Sequence, residues 1–105
     1  MDAAAALDSL SALAHPTRLD AFRLLVRSEP DGLSTGQLVE ASSLSQSTFS
    51  SHLAILVGVG LVVSEKRGRQ MIQRANLDAV RQLMLYLAKD CCGGRAGLCE
   101  PLVAE

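Results

Sequence analysis

Cys91, Cys92 and Cys99 are the only cysteines in the chain, and they lie within nine positions interleaved with Gly93, Gly94 and Gly97. Ionised thiolates are soft ligands that select soft ions. Adjacent side chains on a helix point about 100° apart, so a helix reaching Cys91 should end there for both sulfurs to converge. The glycines give the chain freedom to fold back and bring in Cys99. Lys89 and Arg95 favour thiolate formation and the negative end of a preceding helix opposes it. Ion binding here should release protons and weaken at acidic pH. Three other uses compete. Structural thiols are common, although three among glycines make a poor core. A redox switch is a second use, and it would have to involve Cys99 because adjacent cysteines bridge only with strain. A third is a site for cadmium, lead or zinc, to which His15 could add a fourth ligand. An enzymatic use lacks its anion loop: a Cys-x5-Arg pattern would need arginine where Gly97 and Leu98 stand. No Ser-His-Asp or paired-carboxylate arrangement stands out, so no enzyme is expected.

The element that must carry the cysteines is a final helix over residues 77–89, capped by Asn76, in which nine of thirteen residues are apolar. Val80, Leu83, Met84 and Leu87 should form one face, with Leu85 and Tyr86 spilling onto another. A helix apolar around so much of its girth needs more partner surface than one small domain offers. A first helix over residues 3–14 places Leu7, Leu10 and Ala14 at helical spacing. The two together predict a homodimer built on the first and last helices, whose two-fold symmetry suits pseudo-palindromic DNA.

Between them lies a pattern suited to a DNA groove. Phe49, Leu53 and Leu56 follow i, i+4, i+7 spacing, so one stripe of a short helix is apolar. Gln46, Ser47, Ser50, Ser51 and His52 occupy the other side. Short hydrogen-bonding side chains let a helix approach base edges and phosphates closely. Ser45 can cap this helix, with Leu44 and Phe49 as the hydrophobic staple. Ser34 and Gln37 form a capping box for the helix before it, with Leu33 and Leu38 as its staple. Only about four residues, 42–45, join the two helices, which is the signature of a helix-turn-helix with a recognition helix second. Gly58 and Gly60 are plausible stops, after which two β-prone runs flank Arg67-Gly68-Arg69 as a hairpin. Four of the ten basic residues (Lys66, Arg67, Arg69, Arg74) fall within nine positions there. A basic hairpin directly after a helix-turn-helix predicts a wing. The expected DNA contacts are Ser45, Gln46, Ser47, Thr48, Ser50, Ser51, His52, Lys66, Arg67 and Arg69. His15, before Pro16 at a helix N-terminus, reads as structural.

A chain of 105 residues makes one domain with a modest core, which the scarcity of aromatics assigns to Leu, Val and Ala. The net charge of −1 argues against nucleic acid, but its distribution reverses that reading. Residues 41–77 hold four basic side chains and one acid, while the remainder holds six basic and ten acidic. Local field outweighs the total at a contact surface. No apolar run approaches a membrane span, and Met1-Asp2 followed by alanines is no basic signal-peptide start, so a cytoplasmic protein with reduced thiols is expected.

Ala12-Leu13-Ala14-His15-Pro16-Thr17-Arg18-Leu19, the series Leu44-Ser45-Gln46-Ser47-Thr48 with His52-Leu53, Leu56 and Gly60-Leu61-Val62, and the Arg67-Gly68-Arg69 wing together resemble the ArsR/SmtB family over about residues 5–90. Those are bacterial metal- and metalloid-responsive winged-helix repressors. The resemblance implies a mainly α winged helix-turn-helix with a small β-hairpin, dimerising through its first and last helices. Residues 1–90 would bind DNA and dimerise, and residues 91–105 would form an inducer-binding tail. Two departures are visible. The recognition helix carries Ala54 and Val57 where relatives often have charged residues, and it contains no Lys or Arg. Phosphate binding then falls more to the wing and to helix termini. The paired cysteines that some members carry in the helix before the recognition helix are absent. The last helix has no His and offers only Asp78 and Asp90, so a His/Asp zinc site is not supported. The terminal cysteines instead resemble the arsenic-responsive branch. Three thiolates satisfy trivalent arsenic or antimony with a lone pair left over, whereas zinc usually demands four ligands. The expectation is a repressor whose apo homodimer binds operator DNA and is released when As(III), or Sb(III), binds Cys91, Cys92 and Cys99. The alternative is a redox-switched or Cd/Pb/Zn-responsive repressor using the same cysteines.

Overall fold

Helix starts along this chain are set by side chains that accept hydrogen bonds from otherwise unpaired backbone N–H groups. The computed structural model describes residues 1–89. These form α1 (Ala3–Leu13), α2 (Pro16–Arg27), β1 (Leu33–Ser34), α3 (Thr35–Ser42), α4 (Gln46–Gly58), β2 (Val62–Arg67), β3 (Gln70–Ala75) and α5 (Leu77–Ala88). Asp2 accepts from the Ala5 amide at 2.8 Å. His15 Nδ1 accepts from the Thr17 amide at 3.1 Å, with Pro16 opening α2 where its missing N–H costs nothing. Ser34 and Gln37 make the reciprocal capping box of α3. Ser45 caps α4 through the Thr48 amide at 3.2 Å, and Asn76 caps α5 through the Ala79 amide at 3.2 Å.

The turn between α3 and α4 is tighter than the spacing suggests. Ser43 ends α3 in the left-handed region (φ 61°), and Ser45 already caps α4, so residues 43–45 complete the connection.

β2 and β3 form the expected hairpin, antiparallel with Val62 opposite Ala75 and Arg67 opposite Gln70. The structure adds a two-residue strand, β1, on the other side of β3, giving the order β1-β3-β2. Gly32 makes this pairing possible: its φ is +74°, and a Cβ there would lie 2.6 Å from the Gln73 carbonyl oxygen. Gln73, in the central strand, is buried yet satisfied; its amide donates to Thr35 Oγ1 at 3.1 Å and its carbonyl accepts from Ser64. One side chain thus ties the hairpin to the start of α3.

The core gathers Phe22 and Leu25 from α2, Leu38 from α3, Phe49, Leu53 and Leu56 from α4, and Leu61 and Val62 at the start of the hairpin. Each such side chain contributes about 1.5–3 kcal/mol on burial. Both phenylalanines lie here, so the core is more aromatic than the composition implies.

The two outer helices divide differently from their sequence spacing. In α1 the buried residues are Ala6, Ser9 and Ala12, whereas Leu7 (66 % exposed) and Leu10 face outward. In α5 Leu83 and Ala88 are buried and Val80 packs on the core, but Met84, Leu85 and Leu87 are exposed. The single face expected from Val80, Leu83, Met84 and Leu87 is therefore split between the core and an outer apolar surface. No helix among the described residues is long and apolar enough to cross a membrane.

Candidate nucleic-acid interface

Burial of Phe49 (1 %), Leu53 (8 %) and Leu56 (0 %) fixes which side of α4 faces out. Gln46, Ser47, Thr48 and Ser51 are exposed, and Ser50 is half-buried. Several hydroxyls also serve the helix itself. Ser45 Oγ accepts from the Thr48 amide and donates to Thr48 Oγ1 at 2.9 Å, so it caps the helix. Ser51 Oγ donates to the Ser47 carbonyl at 3.2 Å. The Gln46 amide forms no hydrogen bond among the described residues, leaving it able to pair with a base edge. Further along, the outward positions become Ala54, Ile55 and Val57, which are exposed and apolar. Thymine methyl groups are the feature of the major groove that such side chains suit.

His52 is set apart from that outward group. It is half-buried, its Nδ1 lies 3.1 Å from Arg18 Nη1, and its ring centroid lies 4.4 Å from that of His15 at an interplanar angle of 35°. Burial, and then the neighbouring His15 and Arg18, hold its pKa below the ordinary histidine value. Arg18 also donates from Nε to the Ala12 carbonyl at 2.6 Å. Sequence reasoning missed Arg18. Its one signal was membership of the His15-Pro16-Thr17-Arg18 run, with no local pattern that pairs it with a residue 34 positions away.

The wing also distributes its charges unequally. Arg67 Nη2 donates to Glu65 Oε2 at 2.9 Å, and Arg74 bridges Glu65 at 3.2 Å and Glu29 at 2.7 Å. Arg67 reaches the Asp31 carbonyl as well, at 3.4 Å. This chain of pairs anchors the hairpin to the connection after α2. Glu65 is held below the usual carboxylate range first by its hydrogen bond from Arg67 and then by Arg74. Arg74 is raised, foremost by Glu29. Lys66 and Arg69 are exposed and form no ion pair among the described residues. Lys66 lies on the hairpin face opposite Arg67, because successive strand residues alternate. Arg69 follows Gly68 (φ +64°) at the tip.

The helix-turn-helix arrangement is matched by what the chain is similar to. A family described as a helix-turn-helix domain matches residues 13–65. The Escherichia coli (strain K12) HTH-type transcriptional regulator YgaV is 33% identical over 83 residues, covering 79% of this chain and 82% of YgaV. An ArsR-like transcriptional regulator from Rhodococcus sp. RHA1 shares the fold with a TM-score of 0.70 at 23% identity, covering 94% of this chain and 92% of that one. The chain belongs to the ArsR family of winged helix-turn-helix transcriptional regulators. The crystal structure of a "possible transcriptional regulator for arsenical resistance" is also similar, at 29% identity and a TM-score of 0.68, covering 78% of this chain and 82% of that one. This ArsR-family regulator is thus a DNA-binding protein rather than an enzyme, and α4 is the second helix of its helix-turn-helix, the position that the recognition helix takes in that motif.

The described residues contain no group of three or more His, Cys, Asp or Glu side chains placed to hold a metal ion. The predicted ligands Cys91, Cys92 and Cys99 lie outside the described residues.

Proposed function

We propose that this regulator is a metalloid-responsive repressor whose apo homodimer occupies operator DNA and leaves it when trivalent arsenic or antimony binds Cys91, Cys92 and Cys99. One observation carries the reading. The three thiols follow α5 in the sequence, and Met84, Leu85 and Leu87 of that helix are exposed apolar side chains that no other described residue covers. Together with Leu7 and Leu10 of α1, that surface fits a second copy of the chain across a two-fold axis. An inducer at the end of α5 therefore acts at the dimer interface. The similar protein described as a possible regulator for arsenical resistance points the same way.

In this reading the two recognition helices enter successive major grooves about 34 Å apart. Gln46 reads base edges, with Ser47, Thr48, Ser50 and Ser51 beside it, and the backbone N–H groups at the start of α4 meet phosphate. Lys66 and Arg69 contact the flanking backbone, with Arg67 joining them when it leaves Glu65. Soft three-coordinate As(III) takes the three thiolates and releases their protons. Its binding reorganises the end of α5 and favours a dimer whose helices no longer match the groove spacing. A coupling of about 1–3 kcal/mol weakens operator binding roughly 5–150-fold. The test is an arsenite titration of the operator complex, with peroxide in parallel. Release by arsenite supports the reading, and release by peroxide alone replaces it with a redox switch.

A further inference from the structure

The chain contains two histidines, and both are in one cluster. Arg18 of α2 lies at its centre, with Nε on the Ala12 carbonyl of α1 at 2.6 Å and Nη1 3.1 Å from His52 Nδ1 on α4. A guanidinium is always charged and has no acceptor, so His52 Nδ1 must be the acceptor and the ring proton must sit on Nε2. His15 Nδ1 accepts from the Thr17 amide, which places its proton on Nε2 as well. The two imidazole rings thus lie 4.4 Å apart, tilted by 35°, beside one guanidinium.

We propose that Arg18 is a positioning residue for operator binding: it clips recognition helix α4 to α1 through His52 and the Ala12 carbonyl, and proton uptake on His52 opens the clip. The inference rests on the reading of α4 as the helix that enters DNA. A proton on Nδ1 would turn the acceptor that meets Arg18 Nη1 into a donor and set two positive charges about a hydrogen-bond length apart. Every neighbour of His52 acts in one direction. His15 from the α1–α2 junction and Arg18 from α2 both oppose its charging, as does burial. α1 presents an uncharged carbonyl, α4 holds no other ionisable residue, and α3 and β2 place no charge against the ring. No carboxylate among the described residues acts on the ring to stabilise the cation.

The sign follows from the lowered pKa. The clip is intact above the ordinary histidine value of 6.5 and is lost as pH falls through the depressed one. A direct contact between His52 and phosphate would behave oppositely, because a cationic ring binds an anion better.

The experiment uses the full chain and a duplex selected from a random-sequence pool by the wild type at about pH 7.5, with affinity then compared at about pH 5.5. Each protein is compared with itself, so a change in affinity common to both pH values cancels. Wild type should weaken on the order of tenfold at the lower pH, within the usual range of such couplings. His52→Asn keeps an acceptor near the Nδ1 position without titrating, and its ratio should fall close to one. His15→Asn retains a helix-capping side chain and should keep most of the wild-type ratio. A wild-type affinity that is flat or rises with acid, or a His52→Asn ratio equal to that of wild type, overturns the clip. Selection of no preferred duplex would count against the operator reading. The clip is then decided without DNA, by NMR: backbone amides near Ala12 and along α4 should shift with the His52 ring titration. A ring that titrates while those amides stay still overturns it.

Discussion

Arg67 of the wing donates to Glu65, two residues away on the same face of β2, at 2.9 Å. The pair divides the basic hairpin into charges already engaged and charges still available. Of the four basic residues at positions 66, 67, 69 and 74, two are paired with acids, so Lys66 and Arg69 are the cations most ready for phosphate.

Arg69→Ala and Lys66→Ala should each weaken binding to all duplexes and flatten the dependence of log K on log salt, by about 0.9 for each phosphate no longer neutralised. Arg67→Ala should flatten it less, because Glu65 already offsets part of its charge. Affinities measured across a salt series check this; slopes unchanged in all three variants would take the wing off DNA.

Acid should leave the Glu65 pairing untouched through the range in which histidines titrate. Its carboxyl is held below the ordinary value of 4.5, so the pairing is fully present above that value and is lost only as pH falls through the lower one. Glu65→Gln should therefore leave unchanged the ratio of operator affinities between about pH 7.5 and 5.5. A changed ratio would show that the wing contributes to the pH response.

Gln46→Ala should cost about 1–3 kcal/mol on the preferred operator and relax selectivity at particular base positions. Binding to a panel of single-substitution duplexes checks it. Equal weakening on operator and random DNA would leave Gln46 only a positioning role.

Gly32→Ala should destabilise the fold by at least about 1–2 kcal/mol, the cost of a left-handed conformation for an L-residue. The contact of the new Cβ with the Gln73 carbonyl, 2.6 Å away, adds to that cost. Urea unfolding reads it directly, and unchanged stability would mean that β1 does not hold against β3 in solution.

The helix-turn-helix was legible because its signals are local. Ser34 with Gln37, and Ser45 with Thr48, are capping contacts three residues apart, and Phe49, Leu53 and Leu56 repeat within one helix. The hairpin was legible for the same reason. What escaped reading depends on distant partners. Arg74 meets Glu29 45 positions away, Arg18 meets His52, and β1 is too short to show a periodicity of its own. His52 could be placed on α4 from spacing, but its inward setting comes from α1 and α2 packing beside it. The divided face of α5 has a similar origin: which apolar residues turn outward depends on where the core ends.

The central claim is tested most directly by titrating the operator complex with arsenite, comparing wild type with single Cys91→Ser, Cys92→Ser and Cys99→Ser variants. Serine keeps the approximate shape while replacing a soft thiolate with a poorly coordinating hydroxyl. The account predicts that all four proteins bind the operator with nearly equal affinity before arsenite is added. Wild type then releases it, while the variants stay bound at the same concentration, Cys99→Ser being the mildest because the adjacent pair still supplies two sulfurs. Release of all three variants alongside wild type would place the inducer elsewhere, and loss of operator binding before any arsenite is added would make the cysteines structural.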